Sequence, residues 1–242
     1  MSSLADTFYH RAMALIASAR EKNTPILRTL APLIGRSLAG GGMLHVFGSG
    51  HSDVIAREII GRAGGLVCVN GIIDPTGGFI ENLVGYGTAL AGRYDRQHQL
   101  LPGETVIVIS NSGKNSSPIE VALYAKQKGL NVVGLCSAAM SATAATVHPG
   151  GQRLHEIADQ VLDNLGVPGD TIIDTGGGLM SGPTSTLVSA MLLNLLMLEV
   201  MEWMKTNGHP LPVLRSQNLP GAIEHNRVVG DAYQHRLSRQ LA

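Results

Sequence analysis

Four short β-type runs, Met43–Phe47, Leu66–Asn70, Thr105–Ser110 and Asn131–Cys136, recur along the chain with mostly helix-length segments between them. Strands that alternate with helices predict a parallel sheet covered on both faces, because a parallel connection must cross back over the sheet. A fifth strand is expected within Gln160–Leu165 or in Ile172–Asp174, and Gly176–Gly178 marks a loop. Ahead of the first run, Leu4–Arg20 and Pro25–Leu38 favour helix, with Asn23–Pro25 as a break, so a helical hairpin is expected over residues 1–40.

A last long helix is expected from Pro183 or Thr184 to near Gly208, where His209–Pro212 forbids its continuation. Its stretch Thr186–Met204 is apolar but carries Asn194, Glu199 and Glu202, and it lacks the run of about 18 apolar residues that a membrane span needs. A buried helix in a protein without a membrane partner is the expectation. Residues 209–242 form a polar tail with a short helix. With 242 residues, 44% of them hydrophobic, one domain is expected, its core at residues 41–208.

Lys plus Arg equals Asp plus Glu at 18 each, so no basic excess exists to track a nucleic acid backbone. Cys68 and Cys136 sit in apolar runs and are expected to behave as buried hydrophobes. The first residues lack the basic patch and apolar core of a signal peptide, which predicts a cytoplasmic protein.

Two turns carry chemistry. His45-Val46-Phe47-Gly48-Ser49-Gly50-His51-Ser52 ends a strand in a Gly-x-Gly turn and opens a helix. Amides at such a helix start favour an anion, and Ser49 and Ser52 offer hydroxyls; alternatively Ser52 only caps its helix. Val108-Ile109-Ser110-Asn111-Ser112-Gly113-Lys114-Asn115 repeats the arrangement after the third run. Both turns fall at the carboxyl edge of a parallel sheet, where one small anion can meet Gly48, Ser49, Gly50, His51 and Ser52 together with Ser110, Asn111, Ser112, Gly113, Lys114 and Asn115. The first turn lacks the third glycine of a dinucleotide fingerprint, and no phosphate loop of the Gly-x-x-x-x-Gly-Lys type exists. The connection between Asn70 and Pro102 is long, as functional loops often are.

The strand, Ser-x-Ser-Gly turn and helix of Thr105–Gly129 resemble the most diagnostic stretch of the sugar isomerase (SIS) family, and the resemblance extends over Met43–Met204. Within that family the chain resembles a group of bacterial SIS-domain proteins and, more distantly, phosphoheptose isomerase. The resemblance implies a three-layer α/β/α sandwich on a five-stranded parallel, flavodoxin-like sheet, assembled as homodimers or homotetramers. It also implies a small-molecule sugar phosphate as partner, and Ser49, Ser52, Ser110, Ser112 and Asn115 as its pocket. Asn115 departs from the hydroxyl residue usual there. Gly61-Arg62 resembles the Gly-Arg that follows a catalytic glutamate in phosphoheptose isomerase, which assigns a general base to Glu58. Val54 stands where that enzyme has a zinc-ligand histidine and the last helix holds no histidine, so neither metal nor cofactor is expected.

The implied chemistry is aldose–ketose interconversion through an enediol, with a carboxylate base and a donor such as Lys114 or His51 at the oxyanion. Spacing alone gives Glu58 another role, an i,i+4 ion pair with Arg62. His225, in the Glu224-His225-Asn226 cluster, is a candidate ring-opening group delivered from a second chain to a shared site, or else a solvated histidine. Glu81 and Asn82 offer a second carboxylate and amide in the long connection. Thr184 and Ser185 open the last helix close to where SIS proteins complete the pocket. His45, His148, Asp163 and Asp174 have no assigned role. A sensor that binds a sugar phosphate without turning it over, and an ether-cleaving lyase acting on a lactyl amino-sugar phosphate, are the competing functions. The apolar last helix and the N-terminal helices exceed what a thin sandwich needs, which predicts a dimer at least.

Overall fold

The computed structural model describes residues 3–237. The chain forms α1 (Leu4–Ala39), β1 (Leu44–Gly48), α2 (His51–Arg57), β2 (Val69–Ile72), α3 (Tyr86–His98), β3 (Thr105–Ile109), α4 (Ser116–Gln127) and β4 (Asn131–Cys136). It continues through α5 (Ala138–Thr143), α6 (Leu154–Ile157), β5 (Gln160–Asp163), β6 (Thr171–Asp174), β7 (Met180–Pro183), α7 (Ser185–Thr206) and α8 (Ala222–Gly230). The strands β2-β1-β3-β4-β5 pair in that order, all parallel, and β6 and β7 make a separate antiparallel hairpin. Both segments considered for the fifth strand are therefore strands, but only Gln160–Asp163 joins the sheet.

The three layers follow from the period-2 geometry of the strands. Leu44, Val46, Ile107, Ile109, Val133 and Leu135 pack on one face against α1, α2 and α7. Phe47, Val106, Val108 and Val132 pack on the other against α3, α4 and α6. A strand such as Thr-Val-Ile-Val-Ile, apolar on both sides, is stable only when both faces are covered.

The expected N-terminal hairpin is instead one 36-residue helix, with Pro25 and Pro32 inside it. Each proline removes a helix bond and costs about 3 kcal/mol in a helix interior. Burial of Leu27, Leu30, Ile34 and Leu38 in the core offsets this, at about 1.5–3 kcal/mol per side chain. Asn23, where the break was expected, is fully buried and bonds the main chain of Asp163, donating to its O at 2.8 Å and accepting from its N at 2.9 Å. The amide thus substitutes for a sixth strand on the open edge of β5. α7 runs alongside α1, and Gly35 leaves the space that the Trp203 indole fills. Among the described residues α7 alone has the length and hydropathy of a membrane span, yet Val188, Leu192, Leu193, Leu196 and Val200 are buried within this fold.

β2 begins at Val69, three residues later than expected, because Leu66 bridges to Val213 of the tail. The tail then returns beneath the amino edge of the sheet. There the Arg236 guanidinium grips both oxygens of Glu104, at 2.6 and 2.8 Å, and Glu104 Oε2 lies 3.0 Å from His45 Nε2. Burial works against the Glu104 carboxylate, but bonds from His45 and Arg236 outweigh it and hold its pKa at about 2. Desolvation pushes the His45 pKa below its ordinary value. A neutral His45 beside an ionised Glu104 donates from Nε2 and accepts at Nδ1 from the Tyr94 hydroxyl, 2.8 Å away. The last five residues of the tail lie outside the described residues.

Truncating Arg236→Ala leaves a buried carboxylate unpaired and is expected to cost about 3–5 kcal/mol in urea unfolding at neutral pH. A loss below about 1 kcal/mol would mean that the pair contributes no more than a surface bridge. In the intact chain His45, depressed from 6.5, withdraws stability as pH falls through 6.5, since the unfolded chain takes up that proton first. Glu104, depressed from 4.5 to about 2, contributes stability that is lost between those two values as pH falls.

Candidate functional site

Strand order reverses between β1 and β3: the chain leaves β1 toward β2 and leaves β3 toward β4. No crossover covers the gap above their carboxyl ends, and this is where open α/β sheets hold ligands. Gly48 pairs with Ile109, so Ser49 and Ser110 emerge side by side, about 4.8 Å apart across the sheet.

In the first turn a Cβ on Gly48 would lie 2.2 Å from the Ser52 carbonyl oxygen, and Gly50 has φ 58. Only glycine fits either position. Gly50, not Ser52, is the N-cap of α2 and makes no side-chain cap bond, so the Ser52 hydroxyl is not spent on capping. His51 is exposed and Ser52 half-buried.

In the second turn Gly113, at φ 65, donates to the Ser110 carbonyl and accepts from Leu154 N at 2.9 Å. Asn111 accepts from the Asn164 amide at 2.9 Å, and Asn164 in turn bonds Ser189 of α7. Among the described residues the hydroxyls of Ser52, Ser110 and Ser112 and the Lys114 ammonium have no protein partner. Asn115 is the N-cap of α4, but its amide points elsewhere, donating to Glu81 Oε1 at 2.7 Å.

The segment 73–85, part of the connection singled out for its length, lies across both turns. Its anchor is Asp74, 3% exposed, whose carboxylate accepts from Ser49 Oγ at 2.9 Å, Thr76 N at 2.9 Å, Thr76 Oγ1 at 2.7 Å, Gly78 N at 3.0 Å and the Tyr86 hydroxyl at 2.7 Å. Burial raises the Asp74 pKa, but these bonds outweigh it and hold the group below the usual carboxylate range. Gly78, at φ 90, lies so close that a Cβ there would come within 2.6 Å of Gly50 N. Beyond it the Glu81 carbonyl accepts from Ser117 N and Ser117 Oγ, and Asn82 Oδ1 accepts from Ser116 N. The loop thereby supplies the acceptors that the first turn of α4 needs.

The Glu81 carboxyl stands among Ser49, Asp74 and Asn115. Desolvation raises its pKa; the nearness of the Ser49 hydroxyl lowers it and the charge of Asp74 raises it further. A half-buried carboxyl with an elevated pKa, between two serine turns, has the properties of a proton carrier.

The other sequence candidates lie apart from this cluster. Glu58 is the C-cap of α2, about 10 Å along the helix axis from His51, where it pairs with Arg62 and accepts from Asn194 at 3.4 Å. His225 is half-buried on α8 with Nε2 2.9 Å from the Val213 carbonyl, and Val213 bridges to Leu66, ahead of β2. Thr184 N and Ser185 N both bond Asp170 Oδ1, and Ser185 Oγ donates to Asp170 Oδ2 at 2.5 Å. An internal carboxylate thus occupies the start of α7. Neither Asp74 nor Tyr86 falls in a sequence motif; the signal for Asp74 is an acid three residues ahead of a Gly-Gly pair in an overlong connection.

A crevice at the β1/β3 reversal, flanked by two serine turns, defines a SIS-type protein. The SIS domain family model matches residues 7–137, and the chain belongs to that family. It is 35% identical to a UPF0309 protein of Listeria monocytogenes, over 96% of this chain and 97% of that one. A UPF0309 protein of Caldanaerobacter subterraneus is 33% identical, with 96% of each chain covered. Among solved structures, a phosphoheptose isomerase from Francisella tularensis superposes with a TM-score of 0.55 at 14% identity, over 84% of this chain and all of that one. The Vibrio vulnificus NanR protein complexed with ManNAc-6P gives a TM-score of 0.52 at 14% identity, over 99% of this chain and 72% of that one. A protein of E. coli CFT073 in complex with A5P gives 0.52 at 16% identity, over 82% and 88%. These likenesses establish the SIS fold.

Replacing Gly78→Ala forces a side chain onto the Gly50 backbone at a positive φ. We expect a loss of more than about 1 kcal/mol, with loop 73–85 opening to limited proteolysis before the sheet unfolds. Unchanged cleavage would mean that the loop is not held by this contact.

Proposed function

We propose that the protein binds a phosphosugar in the crevice between β1 and β3 and interconverts its aldose and ketose forms through an enediol. The observation that carries this reading is the Glu81 carboxyl, half-buried and raised in pKa, between the Ser49 and Ser110 turns. Support for the ligand class comes from two fold neighbours, one complexed with ManNAc-6P and one in complex with A5P.

In this reading the phosphate sits in the Ser110–Asn115 turn, where Ser112 and Lys114 are unpaired. The sugar end then points toward Ser49. Glu81 takes the C2 proton, the electron pair of that C–H bond forms the C1=C2 enediol, and the carbonyl oxygen gains a proton from a donor such as His51, which is exposed at the start of α2. Return of the proton to C1, with the C2 hydroxyl giving its own proton back to that donor as the C2 carbonyl forms, completes the exchange. Glu58, the base implied by resemblance, is committed to Arg62 and Asn194 within one chain, so Glu81 is the base we assign.

The test is solvent deuterium incorporation, read by mass spectrometry, across C5 to C7 aldose and ketose phosphates. Glu81→Gln is expected to lower exchange by about 10²–10⁴-fold. The wild-type rate should fall as pH drops through a value above the ordinary glutamate pKa of 4.5, since the base must be ionised. Exchange that survives Glu81→Gln but is lost in Glu58→Gln would return the base to α2. Thermal stabilisation by a sugar phosphate with no exchange at any pH would instead favour a binding-only sensor, a reading to which the loop lying across both turns also lends itself.

We also propose an assembly of at least two copies, on the exposed Leu187, Met191 and Leu198 of α7. His225 reaches a crevice only if a second copy brings it. A monomer in light scattering at working concentration would remove that role.

A further inference from the structure

We infer that Ser49, oriented by Asp74, forms a hydroxyl-accepting subsite that recognises the sugar end of the ligand and discriminates against its phosphate. The inference rests on the phosphosugar reading and assigns polarity within that site. Both residues are buried, Ser49 at 5% exposure in the first turn and Asp74 at 3% in the loop that lies across it.

The argument is a count of hydrogens. Asp74 accepts five bonds, from two backbone amides and three hydroxyls, so it is ionised and has no proton to give. The hydrogen in the 2.9 Å Ser49–Asp74 contact is therefore the serine's own. A serine hydroxyl has one hydrogen, and once it is committed the oxygen presents only lone pairs. A phosphate dianion, which is all acceptor, cannot bond that oxygen. A sugar hydroxyl can, donating to Ser49.

Charge acts in the same direction. Asp74 lies against Ser49 and Glu81 reaches from Ser49 to Asn115, while the ammonium of Lys114 and the unpaired Ser112 hydroxyl belong to the other turn. The crevice thus has an acidic, accepting end on β1 and a cationic, donating end on β3. A phosphosugar fits it in one orientation. Asp74 acts as a positioning residue, fixing the direction of the Ser49 O–H.

The test is calorimetric binding of ribose 5-phosphate, glucose 6-phosphate and sedoheptulose 7-phosphate, with inorganic phosphate as the control that lacks hydroxyl-bearing carbons. Ser49→Ala is expected to weaken the best-bound sugar phosphate about tenfold and to leave inorganic phosphate within about twofold. Ser112→Ala should weaken both. Asp74→Asn supplies a carboxamide that can donate to Ser49 and free its hydrogen. It should therefore tighten inorganic phosphate severalfold while lowering the preference for sugar phosphates, a change that loss of structure would not produce. If Asp74→Asn does not fold, as judged by its melting curve, Ser49→Ala decides alone. Equal weakening of sugar phosphate and inorganic phosphate by Ser49→Ala, or no weakening of either, overturns the subsite while leaving the phosphosugar reading in place. A wild-type protein that binds none of the three sugar phosphates overturns that reading and the subsite with it.

Discussion

Pairing of β1 with β3 is the constraint from which the site follows. Once Gly48 lies opposite Ile109, the two strands end level, and the chain must leave them in opposite directions because β2 and β4 occupy the outer places. The space above their ends is then free of crossovers, and both strands must release their chains into it. Turns there have to be tight, which is why Gly48, Gly50 and Gly113 stand where a Cβ would collide or φ is positive. The same tightness brings hydroxyls and amides close enough to address one small ligand.

What the sequence reveals is what local pattern can encode. The two-sided apolar run Val106–Ile109 can only be an interior strand, and the Ser-x-Ser-Gly turn after it needs no partner to be recognised. The continuity of α1 is different in kind. Pro25 argues locally for a break, and the interaction that overrides it, Asn23 on the main chain of Asp163, joins residues 140 positions apart. Leu66 reads as the start of a strand in the sheet, and only the docked tail, through Val213, gives it another pairing. Glu81 sits in a segment with no periodicity, and its partner Asn115 is 34 positions away. Glu58, by contrast, has a motif beside it, so sequence reasoning gives it weight. Its i,i+4 neighbour Arg62, the less eventful alternative, is the partner it has in the fold.

The two edges of the sheet divide the work. At the amino edge, Glu104, Arg236 and His45 form a buried ionic cluster with every charge paired, an arrangement that holds one geometry and tolerates little change. At the carboxyl edge several hydroxyls and one ammonium have no partner among the described residues, and a glycine-containing loop is pinned chiefly by one carboxylate. The described part of the tail docks at the amino edge and leaves the carboxyl edge uncovered. His225 belongs to that tail, and its bond to the Val213 carbonyl is part of how the tail is attached.

Asn115 and Glu81 are best understood as one feature. The resemblance to SIS proteins leads one to expect a hydroxyl at position 115, at the start of α4, where serine or threonine would cap the helix. Asn115 takes the cap position without making a cap bond, and the helix start is served instead by the Glu81 carbonyl and the Asn82 side chain from the loop. The asparagine amide is thereby released to hold the Glu81 carboxyl in the crevice, at 2.7 Å. A hydroxyl there would have a shorter reach than the Asn115 amide, and as a cap its oxygen would accept from the helix backbone. The departure from the family pattern at 115 and the loop carboxylate in the site are thus joined by one hydrogen bond.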